Sequence, residues 1–183
     1  ELKAINDALS GQLTLNDYSV VLTGSPADVA AALSGTFAAN YTGNVSLNAN
    51  HTLAQLKAIN NGTTGTITLN SYGIDLAGTA SDVGEALAEP FASTYTGNVS
   101  VSNTHTLAQL KAINSQTTGE ITLSDYSVVL SGSASDIKAA LDGTFASTYT
   151  GNVVITDTNG TGIVATDIST IAGDTTGTVT VSN

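Results

Sequence analysis

The sequence predicts an α/β fold: a repeat solenoid of short helices and parallel strands, with a 54-residue repeat and about two coils per repeat. Self-similarity is the first observation behind this prediction. Residues 51–60 read His-Thr-Leu-Ala-Gln-Leu-Lys-Ala-Ile-Asn and return unchanged at residues 105–114, 54 positions later (105 − 51 = 54). A fixed period of this length is typical of proteins that stack one supersecondary unit on the next.

The aromatic residues give the second observation, because all nine keep the same 54-residue step. They form three sets: Tyr18, Tyr72 and Tyr126; Phe37, Phe91 and Phe145; Tyr41, Tyr95 and Tyr149. Large side chains that recur at one position of every repeat indicate a core that continues from repeat to repeat.

The first element of the complete second repeat is a short helix. Thr52 and Gln55 have the spacing of a capping box, and leucine or isoleucine then recurs every three residues up to Ile59. The Asn-Asn-Gly segment at 60–62 is expected to end the helix.

Two strands are predicted after this helix. Residues 66–69 and 72–76 both alternate polar and apolar side chains, which is the period of a half-buried strand. The Asn-Ser pair at 70–71 favours a turn between them.

A second helix and a third strand complete the repeat. Thr79 and Asp82 mark a second capping box, and the first repeat has Pro26 at the first helical position, where proline is tolerated. Pro90 is expected to stop this helix, and residues 97–101 are predicted to form the third strand. The order in each repeat is therefore helix–strand–strand–helix–strand.

Helices placed between strands favour parallel pairing through right-handed crossovers. Helices this short are not stable alone in water, so each must bury its apolar stripe on a layer of strands. With strands about 4.8 Å apart, two coils lengthen a rod by roughly 10 Å per repeat.

The repeats divide the chain into two regions. Residues 1–156 hold three tandem copies, of which the first lacks its N-terminal turn, and residues 157–183 form a divergent fourth repeat with about four inserted residues. We expect the fourth repeat to cap the stack, as terminal repeats often do. Its last strand, 178–181, leads into Ser-Asn as in the segment 101–103, so this end is also expected to be continuable. The chain opens inside a repeat without an initiator methionine, which indicates a processed or excised product.

Composition argues against several classes of function. The net charge is −11, from four lysines, no arginine and 15 acidic residues, so we expect no nucleic-acid partner and no anionic membrane surface. No apolar run has the length of a membrane span, and no cysteine is present for a disulfide or a thiolate metal site. No nucleophile–base motif or phosphate-binding loop occurs, so we predict that the protein is not an enzyme.

His51 and His105 are the only histidines, and they occupy equivalent positions. They are candidates for a metal ligand or a base. No second ligand recurs beside either of them, which favours a structural place just before a helix N-cap.

Asp28, Asp82 and Asp136 recur strictly and raise the idea of a calcium ladder. They also occupy the third position of a helix, where a carboxylate interacts with backbone N–H groups and with the positive helix end. The capping interpretation is sufficient for these three residues.

The fourth repeat holds the predicted calcium cluster, formed by Asp157, Asn159 and Asp174. Calcium prefers carboxylate and amide oxygens, which these residues supply. Their spacing does not match an EF-hand or the Gly-Asp nonapeptide repeat. No other cofactor is expected.

One longer segment carries a resemblance to known repeats. Residues 126–137 read Tyr-Ser-Val-Val-Leu-Ser-Gly-Ser-Ala-Ser-Asp-Ile, a Tyr-led strand that runs into a capped helix. With the Leu-Ala-Gln-Leu-Lys-Ala-Ile and Gly-Asn-Val-Ser-Val segments, this pattern resembles repeats of very large secreted or cell-surface proteins of cyanobacteria and other aquatic bacteria. The resemblance covers about three repeats. It implies export and a structural or adhesin-like role without catalysis.

The predicted function is structural: an extracellular or cell-surface spacer, fibre or surface-layer subunit that self-associates end to end. Near-identity of the repeats favours it over the alternative, an adhesin-type module that binds a glycan, calcium or a host surface. Open strand edges pair readily, so the first helix of one copy is expected to meet the last strand of another. The predicted interface residues are Glu1, Leu2, Ile5, Val179, Thr180 and Val181.

Overall fold

The computed structural model of the chain describes residues 1–88, 90–157 and 163–182. Within these residues it contains seven α-helices and nine strands, and the strands form three three-stranded parallel sheets. The prediction of a mixed α/β chain with parallel strands is confirmed. The helices are α1 Leu2–Ala8, α2 Pro26–Leu33, α3 Leu53–Gly62, α4 Ala80–Ala86, α5 Leu107–Gln116, α6 Ala134–Leu141 and α7 Ala165–Asp174. The strands are β1 Leu22–Gly24, β2 Val45–Leu47, β3 Ile67–Thr68, β4 Leu76–Gly78, β5 Val99–Val101, β6 Ile121–Leu123, β7 Leu130–Gly132, β8 Val153–Ile155 and β9 Val179–Val181.

Each helix, together with the chain that follows it, forms one layer. Layers 1 to 7 begin at the N-cap residues Glu1, Ser25, Thr52, Thr79, Thr106, Ser133 and Val164. The step from layer 2 to layer 3 is the same as every later step up to layer 6, and two such steps make one 54-residue sequence repeat. Layer 7 begins later than this step would place it, because the fourth repeat carries the insertion. Successive helices pack on each other in chain order.

The order of elements within a repeat is confirmed by residues 53–101, which contain α3, β3, β4, α4 and β5. The capping box of Thr52 and Gln55 also forms. The second predicted box forms only in part: Thr79 accepts from the N–H of Asp82, but the Asp82 carboxylate accepts from the Thr79 hydroxyl. In addition, α4 ends at Ala86, before Pro90 is reached.

Within a repeat, the first residue of the even-numbered helices α2, α4 and α6 is matched to the residue that accepts its backbone N–H. The N–H of Ala80 donates to Asn103 at 2.8 Å, and the N–H of Ala134 donates to Asp157 at 2.7 Å. The first repeat has Pro26 at this position, and proline has no N–H to donate. The residue equivalent to Asn103 there is alanine, at position 49. Donor and acceptor are thus absent together.

The three sheets are staggered along the stack of layers. In the first sheet Leu22 pairs with Val45 and Val45 with Ile67, and a further bridge joins Ile67 to Phe91. The second sheet repeats this pattern from Leu76, one sequence repeat further along the chain. Layers 3 to 6 therefore each contribute backbone to two neighbouring sheets.

The core lies between the helices and the sheets and continues through the layers. Leu56 and Ile59 of α3 and Ile67 of β3 are fully buried, as are their equivalents in layer 5. Burying such a side chain stabilises the folded chain by about 1.5–3 kcal/mol. Tyr95 is also buried, and so are its equivalents Tyr41 and Tyr149.

Pairs of glycines let successive layers approach closely at one corner. A Cβ on Gly97 would lie 2.0 Å from the carbonyl oxygen of Ile74, and a Cβ on Gly119 would lie 2.1 Å from the carbonyl oxygen of Gly97. The backbone of the preceding layer therefore excludes any larger residue. The same arrangement recurs at Gly43 with Gly65 and at Gly151 with Gly177.

The register of β9 corrects the expectation for the C-terminal strand. β9 pairs with β8 through Val153 and Val179, as β6 pairs with β5 through Val99 and Ile121. It is therefore equivalent to β6, the first strand of an odd layer, and not to β5 as the Val-Ser-Asn match suggested. In layer 5 the strand β7 and then an even helix follow this position. The helix expected to continue the stack is α1 of another copy, which is an odd-numbered helix. The register of β9 instead calls for a strand like β7 followed by an even-numbered helix.

Candidate functional surfaces

Both histidines are buried against a tyrosine from a later layer. His51, immediately before the N-cap of α3, has its Nε2 3.1 Å from the hydroxyl of Tyr95, and His105 has the same relation to Tyr149. The Tyr95 hydroxyl also donates to the carbonyl oxygen of Ile74 at 2.6 Å. Because a tyrosine has one proton to donate, we assign the Nε2–H tautomer to His51, with that N–H donating to the hydroxyl oxygen.

The environment of these imidazoles disfavours their charged form. Burial lowers the pKa of both, and the charge of Asp125 offsets part of the effect at His105. Burial likewise raises the pKa of the Tyr95 hydroxyl. Within the described residues, no group of three or more His, Cys, Asp or Glu side chains is placed to hold a metal ion. The geometry supports a structural role for the histidines.

Acidification from pH 7.5 to 5.5 is expected to lower the thermal stability of the chain. Below about pH 6.5 the unfolded imidazoles bind protons more readily than buried His51 and His105, so the unfolded state binds more protons and stability falls as the pH is lowered. The upper limit of this loss is about 1.4 kcal/mol per histidine for each pH unit. Asp82 has a lowered pKa and contributes only at more acidic pH, whereas Asp174 has a raised pKa and acts in the opposite direction.

Differential scanning calorimetry of the double variant His51→Gln, His105→Gln provides the control. Glutamine keeps an N–H donor for the tyrosine hydroxyl but does not titrate. The Tm of this variant is expected to vary much less over the same pH range. An unchanged pH profile would show that other groups control the loss.

The structure does not bring the described members of the predicted calcium cluster together. Asp157 accepts the N–H of Ala134, the first residue of α6. Asp174, the last residue of α7, has its pKa raised by burial and by the charge of Asp142, the C-cap of α6. The two carboxylates thus lie toward opposite ends of α6, and a helix of its length spans about 12 Å. Asn159 lies outside the described residues, so calcium binding here stays a prediction.

Two of the three recurring aspartates, Asp82 and Asp136, bond to a lysine of the preceding helix, whereas Asp28 bonds to its N-cap residue Ser25. Asp82 accepts from Lys57 Nζ at 2.5 Å, and Lys111 pairs in the same way with Asp136. The hydrogen bond from Lys57 lowers the pKa of Asp82. These carboxylates therefore act between layers as well as at the helix N-terminus. The other two lysines also pair with carboxylates, Lys3 with Asp7 and Lys138 with Asp167.

Small side chains form rows on the outward face of the sheets. Thr23, Ser46 and Thr68 occupy paired positions on three neighbouring strands. Hydroxyls about 4.8 Å apart can exchange hydrogen bonds with a polar ligand, although exposed threonine is also ordinary on a strand. The equivalent rows are Ala77, Ser100 and Thr122 in the second sheet and Ser131, Val154 and Thr180 in the third.

The buried threonines that follow α3, α5 and α7 were not identified from the sequence. The Thr117 hydroxyl donates to the carbonyl oxygen of Gly97 at 2.9 Å and accepts from the N–H of Gly119 at 3.0 Å. The Thr-Thr-Gly triplet is the signal, because it recurs at 63–65, 117–119 and 175–177 even where the fourth repeat diverges. Its equivalents, Thr63 and Thr175, make the same two bonds.

The chain matches no family model, no curated protein and no solved structure. None of the described helices is long and apolar enough to cross a membrane. The contacts between its own layers are therefore the basis for assigning a function.

Proposed function

We propose that the protein is a non-enzymatic structural repeat protein whose layers are the coils of an α/β solenoid with a 54-residue repeat. In this proposal it is an extracellular spacer, fibre or surface-layer subunit. One observation carries the proposal: histidine, lysine and buried threonine side chains form hydrogen bonds between layers. The histidines bond to tyrosines, the lysines of α3 and α5 to aspartates, and the buried threonines to glycine carbonyls.

The equivalence of the layers supports the solenoid. Besides the constant step between the helices of layers 2 to 6, the strands β1, β4 and β7 begin at Leu22, Leu76 and Leu130, which are spaced by one sequence repeat each. Stacked equivalent units supply length and a uniform surface. A reaction centre instead needs convergent side chains that the other units lack.

Strands and helices favour different spacings along such a stack. Parallel strands lie about 4.8 Å apart, whereas packed helices lie about 8–10 Å apart. The helical side of a solenoid is therefore longer than the strand side. Each 54-residue repeat should add about 10 Å along the strands and up to about 20 Å along the helices.

Inserting a second copy of residues 52–105 after residue 105 is expected to give a folded, longer particle. The maximum dimension from small-angle X-ray scattering should rise by about 10–20 Å with an unchanged cross-section. As a control, a copy of residues 52–78 alone inserted after residue 78 places one odd layer on another and should lower the Tm. An increase in cross-section with the 54-residue insertion would contradict the solenoid.

End-to-end association is part of the proposal, and side chains at both ends of the stack support it. Ile5 is 43% exposed, whereas its equivalent Ile59 is fully buried. Val181 is 39% exposed, whereas its equivalent Leu123 is 4% exposed. The partly buried Leu2 and Val179 pack against the core, and Glu1 and Thr180 are exposed.

The backbone at the end of β9 refines this interface. In β6 the residue that bonds to the next layer is Ile121, whose N–H donates to Thr144 and whose carbonyl accepts from Ala146. Val179 is its equivalent in β9. Val179, and not Thr180, therefore presents its backbone groups at the end of the stack.

The extracellular location rests on the resemblance of the repeats and on the acidic, cysteine-free composition. The alternative proposal is an adhesin-type module for a glycan, calcium or a host surface. The outward hydroxyl row of Thr23, Ser46 and Thr68 supports this alternative.

A further inference from the structure

The strand β7, in the interior of the chain, is paired along one edge only. Within the described residues its one neighbouring strand is β8, in layer 6. The N–H of Leu130 donates to the carbonyl of Asn152, and the carbonyl of Gly132 accepts from the N–H of Thr156. In a parallel ladder the residue between two such residues directs both of its backbone groups to the opposite side. The N–H and C=O of Ser131 therefore point away from layer 6.

The same alternation continues in the segment before β7. The carbonyl of Val128 accepts from the Tyr149 hydroxyl at 2.7 Å, on the side of layer 6. Val129 lies between Val128 and Leu130, and its side chain is 57% exposed. Val129 and Ser131 thus form an open edge of β7, on which their backbone groups repeat at roughly 6.6 Å.

A groove lies between this open edge and the helix α5. Ser131 and Gly132 line it together with Leu107, Ala108 and Ala112 of the helix, and its volume is about 630 Å³. The two alanines are exposed and small, so the helix leaves room beside the strand. An added strand would fit between helix and strand edge.

Bonds between α5 and α6 fix one wall of the groove. Lys111 of α5 pairs with Asp136, and Asn114 donates to the carbonyl oxygen of Ala139 at 2.8 Å. A wall that is already held in place lowers the entropic cost of binding.

The open edge of β7 lacks a charge that the equivalent edge of β4 carries. β4 pairs with β5 in the same register, and Asp75 occupies the position of Val129. Charged side chains on an edge strand hinder pairing with another chain. With valine at this position, β7 is the better acceptor of an added strand.

The charges around the groove favour a basic partner. All four lysines lie on helices and pair with carboxylates of helices. The strand side of layer 5 carries Glu120 and Asp125, and no lysine pairs with either in the described part of the chain. Because the net charge is −11, a second copy of the chain is repelled and a cationic segment is attracted.

We propose that the groove between α5 and β7 binds an extended, basic peptide segment of another protein by β-strand addition. The backbone of the peptide pairs with the N–H and C=O groups of Val129 and Ser131, and its apolar side chains pack on Ala108 and Ala112. Main-chain hydrogen bonds supply affinity in this mode, and the groove selects side chains. The site goes beyond the proposed structural role and does not involve the ends of the stack.

An NMR titration of the ¹⁵N-labelled full chain tests this site. The probe is a synthetic peptide, Lys-Val-Thr-Val-Lys-Val-Thr, acetylated and amidated at its ends. The amide signals of Val129 and Ser131 should shift to saturation, which reports on β7 separately from the equivalent edges of β1 and β4. Signals that change with the concentration of the chain alone would identify a second copy as the occupant and overturn the inference.

Ser131→Pro removes the N–H that points to the open edge, and proline is tolerated on an edge strand at such a position. The Kd read from the Val129 amide should rise by at least about tenfold. Ser131→Ala is the matched control, because it keeps the N–H and introduces the residue found at the equivalent position, Ala77. Its Kd should be unchanged, and circular dichroism should show that both variants fold.

Modified peptides test the same contacts in the unaltered chain, so the result does not depend on the folding of Ser131→Pro. N-methylation of alternate peptide residues should abolish the shifts of Val129 and Ser131. Glutamate in place of both lysines should raise the Kd by at least about tenfold, and sodium chloride should weaken binding of the basic peptide. Equal binding of the N-methylated or the acidic peptide overturns the inference, as does the absence of shifts at millimolar peptide.

Discussion

Replacing Leu56 by aspartate is expected to unfold more than the single helix that carries it. Leu56 is fully buried in the continuous core. Truncating a buried leucine to alanine already costs about 2–5 kcal/mol, and an unpaired buried carboxylate adds to this. Since whole domains are stable by only about 5–15 kcal/mol, the layers on either side of α3 should lose their packing as well.

Circular dichroism at 222 nm and thermal melting measure this effect. Leu110→Asp, at the equivalent position of layer 5, should behave in the same way. Val129→Asp places the same charge on an exposed side chain and should leave the spectrum unchanged. A loss confined to the contribution of one ten-residue helix would contradict a core shared between layers.

Gly97→Ala is expected to destabilise the chain by about 3 kcal/mol or more, as in overpacked cores. The added Cβ would lie 2.0 Å from the carbonyl oxygen of Ile74, and backbone cannot move aside as a flexible side chain does. The layers would have to separate at this corner. For a chain of this size the Tm should fall by roughly 6–12 °C.

Gly84→Ala is the matched control, because a Cβ at this position in α4 meets no other atom within 4 Å. Alanine is the better helix former, so this variant should gain about 0.5–1 kcal/mol. Opposite signs for the two glycines, measured by denaturant unfolding, are the expected result. A neutral Gly97→Ala would show that the glycine corner is not a close contact.

The elements that follow from local interactions were predictable from the sequence. The helix α3 is an example, since its capping box and apolar stripe involve residues within ten positions of each other. Pro90 misled the prediction of the end of α4, because the helix already ends at Ala86. A helix breaker gives only a limit for the end of a helix.

The bonds between layers were not predictable, because they join residues far apart in the chain. His51 and Tyr95 are 44 positions apart, and Thr117 and Gly97 are 20 positions apart. The repeat shows that each of these residues recurs but not which residues face each other. The predicted equivalence of β9 with β5 was wrong for a related reason. The match of three common residues, Val-Ser-Asn, is weaker evidence than the pairing of β9 with β8.

The alternation of odd and even layers has a consequence for how a gene of this kind can change in length. Unequal recombination between near-identical copies adds or removes one whole repeat at a time and leaves every donor opposite its acceptor. A change of half a repeat would instead place histidine, lysine and asparagine against a layer without their partners. Alleles that differ by whole repeats should therefore encode folded proteins of different length. Selection can then act on this length without further substitutions that restore the fold.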